Sequence, residues 1–207
     1  MRVERFNVGP LDNNTYLLVD ENTGEAALID PSFDSQPIWN EIQNSGWKVT
    51  WLLNTHAHID HVVENVYFAE KTQAPVAMHP LDLPLLHAMN MQAKWMDCPP
   101  PPVMEPNRLL ADNEEIQIGG QTVKVVLTPG HSPGSVSFVG DGFVICGDAL
   151  FAGSIGRTDL PGGNHDQLIS AIKARLLTLP DDTIVYPGHG DTSTIGIEKQ
   201  TNPYVQD

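Results

Sequence analysis

Three imidazoles and a carboxylate fall within six residues in Thr55-His56-Ala57-His58-Ile59-Asp60-His61, directly after the apolar run Val49-Thr50-Trp51-Leu52-Leu53. Nitrogen and carboxylate donors together suit zinc, iron or manganese, whereas an all-oxygen cage would suit magnesium or calcium. His56 and His58 are two residues apart, so if strand geometry persisted both would point to one side. Ile59 interrupts the polar run, and a turn after it can swing Asp60 and His61 toward a second centre. The bland alternative is a surface histidine cluster, or two of these residues satisfied in a core. The density of ligand-grade groups at the end of one strand speaks against it.

Three later loops each add one ligand-grade residue. His131 lies in Thr-Pro-Gly-His-Ser-Pro-Gly, Asp148 in Cys-Gly-Asp and His189 in Pro-Gly-His-Gly. Each follows an apolar run that reads as a strand, and the adjacent glycine lets the backbone turn tightly there. Alone, each is an ordinary polar turn residue. Together with the first cluster, five of the eight histidines and two aspartates arrive at the same topological place.

The elements that must position them can be read from pattern and punctuation. Residues 2–8, 15–19 and 25–29 are expected strands, separated by Asn13-Asn14 and Glu21-Asn22-Thr23-Gly24. Asp30-Pro31 ends the third, and Asp34 or Ser35 is expected to cap a helix that closes at Gly46. A helix is expected from about Val62 to Thr72, a short strand at 75–78, and a helix over 81–94 with Pro84 in its first turn. Cys98-Pro99-Pro100-Pro101-Pro102 stops regular structure and reads as a stiff surface connection, with a flap of Trp95, Met96 and this run beside the site as the other reading. Strands are then expected at 115–118, 121–127, 135–139 and 143–146, a helix over 166–179, a strand at 183–186 and a last helix near 193–200. Two sheets packed face to face with helices outside accommodate this order.

The chain of 207 residues is long enough for one sizeable core and is expected to form a single domain over 1–207. Its net charge of −15 argues against nucleic acid or an anionic membrane surface as a partner. The first residues offer no apolar stretch for a signal peptide, and no segment has the length to cross a bilayer. Two cysteines, Cys98 and Cys146, make no disulfide framework, so a cytoplasmic setting is expected.

The order Thr-His-Ala-His-Ile-Asp-His, Gly-His, Gly-Asp, Gly-His-Gly resembles the metallo-β-lactamase superfamily. The run Phe151-Ala-Gly-Ser-Ile-Gly-Arg-Thr-Asp-Leu-Pro-Gly-Gly163 is similar to its glyoxalase II-like, hydroxyacylglutathione hydrolase branch. The resemblance spans essentially the whole chain. It implies an α+β fold, the αββα four-layer sandwich, with two divalent metal ions at one edge. Zinc is the first expectation, iron and manganese the other ions this donor set accepts. Carried over, His56, His58 and His131 would hold one ion and Asp60, His61 and His189 the other. Asp148 would bridge them, and Asp60 and Asp148 would be the catalytic carboxylates. The implied activity is hydrolysis of S-D-lactoylglutathione or a related acylthiol by a metal-bound hydroxide, which needs no serine or cysteine nucleophile. The expected partner is therefore a small-molecule thioester; oligomeric state is not legible.

Two rivals accompany this reading. One is a persulfide dioxygenase of the same fold, with a single iron at the His56, His58 and Asp148 positions; the other is a non-catalytic metal-binding module. Glyoxalase II proteins with a helical C-terminal glutathione-binding domain also resemble this chain, but only eighteen residues follow His189, with Lys199 their one lysine. No such domain is expected here. His79 and His87 lie outside the pattern, and His165 is expected to open a helix capped by Asn164. Cys146 reads as a small core residue. Arg157 and Asp159 are expected to fasten the loop after Asp148 as support for the metal ligands.

Overall fold

The computed structural model describes residues 1–206. Strand alternation dictates the layering. In β2 (Asn13–Asp20), Tyr16 and Leu18 join one buried cluster while Leu17 and Val19 join another. β3 (Glu25–Ile29) repeats this, with Ala27 and Ile29 on one side and Ala26 and Leu28 on the other. Strands buried on both faces need a layer on each. The inner side packs on Ile116 and Ile118 of β7 (Glu115–Ile118), Val123 and Val125 of β8 (Gln121–Leu127), Phe138 of β9 (Val136–Gly140) and Ile145 of β10 (Phe143–Gly147). The outer side is covered by Ile38 and Ile42 of α1 (Ile38–Ser45) and Phe68 of α3 (Asn65–Thr72). Beyond the second sheet, Val144, Cys146 and Val185 of β13 (Ile184–Pro187) meet Leu168 of α6 (His165–Ala171) and Ile195 of α7 (Ile195–Thr201). The layers run helix, sheet, sheet, helix, which is the αββα sandwich expected.

Both sheets have six strands and both are mixed. The first runs β1 (Arg2–Val8), β2, β3, β4 (Lys48–Leu53), β5 (Val76–Met78), β6 (Arg108–Leu109), antiparallel as far as β3 and parallel thereafter. The second runs β14 (Ser193–Thr194), β13, β10, β9, β8, β7, with β10 and β13 its one parallel pair. A hairpin of β11 (Leu150–Phe151) and β12 (Ser154–Ile155) stands apart from both.

Several expected helices differ in detail. α1 starts at Ile38 behind Pro37, with no side-chain cap, because Asp34 adopts a left-handed conformation and Ser35 is buried in a turn. Asp60 and His61 sit in a helical turn of their own, α2 (Ile59–Val62), which is separated from α3. The break is held by Asn65, whose amide pairs with that of Asn54 at 2.8 Å. The helix expected over 81–94 is a 3₁₀ turn at Pro80–Asp82 followed by α4 (Leu83–His87) and α5 (Met89–Trp95), and α6 ends in a π-helical turn, Ile172–Leu176. At the end of α1, Gly46 has φ 71° and its N–H closes the helix on Gln43 O, with open space where a Cβ would be. Gly46→Ala is therefore expected to cost about 1 kcal/mol through backbone conformation alone, read as a lower denaturant midpoint with unchanged slope.

Candidate metal centre

The ends of four strands and the start of a fifth meet at one edge of the sandwich. β4 delivers His56 and His58, β8 leads to His131, β10 to Asp148 and β13 to His189, while Asn13 opens β2 and bridges to His189 across the sheets. Main-chain bonds stitch this edge: Asn14 N–H to Gly188 O at 2.7 Å, Gly188 N–H to Gly147 O at 2.8 Å and Val136 N–H to Thr55 O at 2.8 Å.

The seven residues named from sequence form three overlapping groups: His56, His58 and His131; His56, His61 and Asp148; Asp60, His61 and His189. In the first, His131 Nε2 is 2.8 Å from His58 Nδ1 and 3.2 Å from His56 Nε2. In the last, Asp60 Oδ2 is 3.3 Å from His189 Nε2 and 3.6 Å from His61 Nε2. Asp148 touches both sets, with Oδ2 3.6 Å from His131 Nε2 and 3.5 Å from His189 Nε2, and Oδ1 3.5 Å from His61 Nε2.

The remote ring nitrogens settle which atoms face inward. His131 Nδ1 donates to Arg157 O at 2.8 Å and His189 Nδ1 to Leu11 O at 3.0 Å, both partners that can only accept. His61 Nδ1 donates to Asp30 Oδ2 at 3.0 Å. The Thr55 hydroxyl spends its proton on Asp30 Oδ2 at 2.6 Å, so it accepts from His56 Nδ1 at 3.0 Å. Four histidines thus aim Nε2 at the centre, while His58 uses Nδ1.

Electrostatics separate the two halves. Burial and the surrounding rings push His56 down, and burial brings His58 to about 4, so both rings are neutral at pH 7, the form a metal would need. Burial also opposes charge on His61, but Asp148, Asp60 and Asp30 outweigh it and raise it to about 10. His189 is raised too, its burial offset by Asp60 and Asp148. Burial disfavours the Asp60 carboxylate, yet His61, His189 and Asn13 hold it well below its ordinary range.

A metal fits this donor set by three observations. Ligands 2.0–2.1 Å from one tetrahedral ion lie roughly 3.3 Å apart, the spacing found here. Asp148 Oδ1 is buried with no hydrogen-bond donor. Finally, a Cβ added to Gly188 would lie 2.1 Å from Asp148 Oδ1 and 2.8 Å from His61 Cε1, so glycine leaves the space the ligands occupy.

The sequence reading missed the groups that hold this edge. Asp30, in a left-handed backbone conformation, ties Thr55 and His61 together. Asp82, fully buried, accepts from Ala57 N–H at 2.9 Å and from Ser132 Oγ and Gly134 N–H on the His131 loop. Gln92 of α5 clamps the first loop through Ile59 N–H and Ala57 O at 2.9 and 3.1 Å. Asn13 donates to Asp60 Oδ2 at 3.0 Å. Arg157 supports His131 by its carbonyl oxygen; its guanidinium is exposed and paired with Asp159 at 2.7 and 2.8 Å. His87 is exposed against Glu105, His165 is an exposed helix opener behind the Asn164 cap, and His79 turns its Nδ1 to Leu81 N–H. Trp95 and Met96 line the cavity over the centre, about 590 Å³, so the stretch before the prolines borders the site.

The sequence profile described as the metallo-beta-lactamase superfamily matches residues 8–189. A curated relative, hydroxyacylglutathione hydrolase GloC of Haemophilus influenzae, is 32% identical over 99% of this chain and 98% of its own. Among solved structures, the BLEG-1 B3 metallo-beta-lactamase superposes with a TM-score of 0.93 at 34% identity, covering both chains completely. TTHA1623 in a di-iron-bound form gives 0.87 at 38% identity, covering 98% of this chain and 100% of that one. Fold, ligand order and these matches agree: the chain belongs to the metallo-beta-lactamase superfamily, a superfamily of metallo-hydrolases.

Proposed function

We propose that this chain is a metal-dependent hydrolase of acyl thioesters, the class that includes S-D-lactoylglutathione. The observation that carries the reading is Asp148, whose two oxygens face both histidine sets at 3.5–3.6 Å. On this reading His56, His58 and His131 hold one divalent ion, Asp60, His61 and His189 the other, and Asp148 lies between them. Two such ions, when bound, would supply a hydroxide nucleophile at neutral pH and positive charge for the developing oxyanion and leaving thiolate. The chain's own part is to fix the donors, keep Asp60 ionised and narrow the approach. Thr55, Asp30, Arg157 O and Leu11 O each lock one ring tautomer. Cys146 is no competing nucleophile, since burial pushes its thiol up to about 12 and it belongs to the cluster under α6.

Protein purified without chelator is expected to carry about two metal ions per chain by elemental analysis, zinc first, and to hydrolyse acyl thioesters in proportion to occupancy. A second reading, a one-iron persulfide dioxygenase, draws on the similar ETHE1 structure from Myxococcus xanthus, which is 30% identical with a TM-score of 0.83. One tightly held iron per chain, with oxygen consumed on a persulfide and no thioester hydrolysis, would replace the first reading by the second. Penicillin belongs in the same panel because BLEG-1 is a beta-lactamase. A cytoplasmic setting is part of the proposal, supported by two unpaired cysteines; no helix among the described residues is long and apolar enough to cross a membrane.

A further inference from the structure

The cavity above the metal centre has two walls of unlike origin and like chemistry. One is the end of α5, which presents Trp95 and Met96; the other is the β11–β12 hairpin, which presents Phe151 and Ile155, with Leu11 and Leu160 at the margins. Trp95 and Leu11 are 55% and 45% exposed, large apolar groups left in water beside a polar centre. Both walls are fixed to the rest of the molecule. Gln92 binds α5 to the loop that carries His56 and His58. Buried Glu198 of α7 accepts from Gly153 N–H at 3.0 Å, and Asn202 donates to Ser154 O at 2.9 Å, which together hold the hairpin. Outside the ligand set, charge is scarce here. Among the described residues lining the cavity, Arg157 is the only lysine or arginine, and both its Nε and its Nη2 are taken by Asp159.

A glutathione moiety carries two carboxylates and an ammonium, and a pocket built for it would offer them unengaged partners. Around the metal-ligand set this pocket offers aromatic and aliphatic surface, in a protein of net charge −15. We propose that the site selects thioesters by an uncharged apolar chain gripped between the Trp95–Met96 end of α5 and the Phe151–Ile155 hairpin, and that the charged ends of glutathione are not what it reads. The inference rests on the thioester hydrolase reading and names its substrate class. The chain can belong to the acyl group or to the thiol, because both flank the same scissile bond.

The test is steady-state kinetics of the metal-loaded protein on two series. Acetyl, butyryl and hexanoyl thioesters of the uncharged thiol N-acetylcysteamine vary the acyl side; acetyl thioesters of ethanethiol and hexanethiol vary the leaving side. Each buried methylene is expected to raise kcat/KM roughly two- to fourfold, giving at least tenfold across one series. For one acyl group, the glutathione and N-acetylcysteamine thioesters are expected to agree within about threefold. Trp95→Ala, at an exposed position, is expected to lose most of the long-chain advantage. Binding is read separately by calorimetry: in the metal-loaded protein the hexyl thioether of N-acetylcysteamine should bind at least tenfold tighter than the ethyl thioether. Turnover with flat dependence on chain length in both series, or a tenfold preference for the glutathione thioester, overturns this inference and leaves the hydrolase reading standing. No turnover of any thioester overturns both.

Discussion

Asp148→Ala is expected to lower hydrolysis about a thousandfold or more, equivalent to ~4 kcal/mol of transition-state stabilisation. The residue sits just past β10, with one oxygen near His131 and His189 and the other near His61. Removing it takes away the carboxylate whose oxygens face both ligand sets, and on the two-metal reading it would leave two cations poorly screened from each other. Stability should fall as well in the metal-free protein, because Asp148 is the foremost of the carboxylates that favour charge on buried His61, 3.5 Å away. The variant is thus expected to melt lower than wild type near pH 7 without metal, as well as to lose metal and activity. His165→Ala, at an exposed side chain pointing to Asp166, is the control and should leave turnover within twofold. Equal losses in the two variants would show that Asp148 has no special place in the site.

The parts of this site legible in the sequence were those whose partners are close in the chain or whose chemistry is rare. His56, His58, Asp60 and His61 stand within six residues, and clustering of that kind survives any error in element boundaries. His131, Asp148 and His189 stood out because a strand end followed by glycine and a ligand-type residue recurred three times. Asp30, Asp82 and Gln92 carried no such mark. Asp30 is 25 residues from Thr55 and Asp82 is 50 from Ser132, and a carboxylate reaching across sheets has no period to detect. The same holds for secondary structure. β6, β11, β12 and β14 are two residues each, too short to show alternation, and exist only because a neighbour supplies the ladder. The helix expected through 81–94 breaks at Ala88, where nothing in the local composition stops it. Its two pieces instead follow the surface they cover, burying Leu86, Met89 and Ala93 against Ala57, Ile59 and Met78.

Asp30→Asn carries the second large expected effect, because it changes proton placement while keeping shape. Asp30 Oδ1 accepts Thr55 N–H at 2.8 Å, and Oδ2 accepts both the Thr55 hydroxyl at 2.6 Å and His61 Nδ1–H at 3.0 Å. An asparagine can keep the first bond, but its NH₂ then confronts two donors at the Oδ2 position. The Thr55 hydroxyl must rotate to accept from the amide, which frees its proton for His56 Nδ1. His56 would then carry its own proton on Nε2, the atom facing His131 Nε2 at 3.2 Å, and His61 would lose the acceptor that fixes its Nδ1–H. One substitution outside the ligand set thus miscasts a ligand in each half of the centre. Loss of such an outer partner typically costs 10–100-fold in metal affinity or activity, and two ligands are affected here. We expect metal affinity measured by chelator competition to fall 10–100-fold for each ion, with kcat restored in part by excess metal. A compensating change, Thr55→Val, removes the misdirected hydroxyl proton and should recover affinity for the ion proposed at His56, His58 and His131 more than for the other. Unchanged affinity in Asp30→Asn would mean that the ring tautomers are set by the metals themselves and not by this carboxylate.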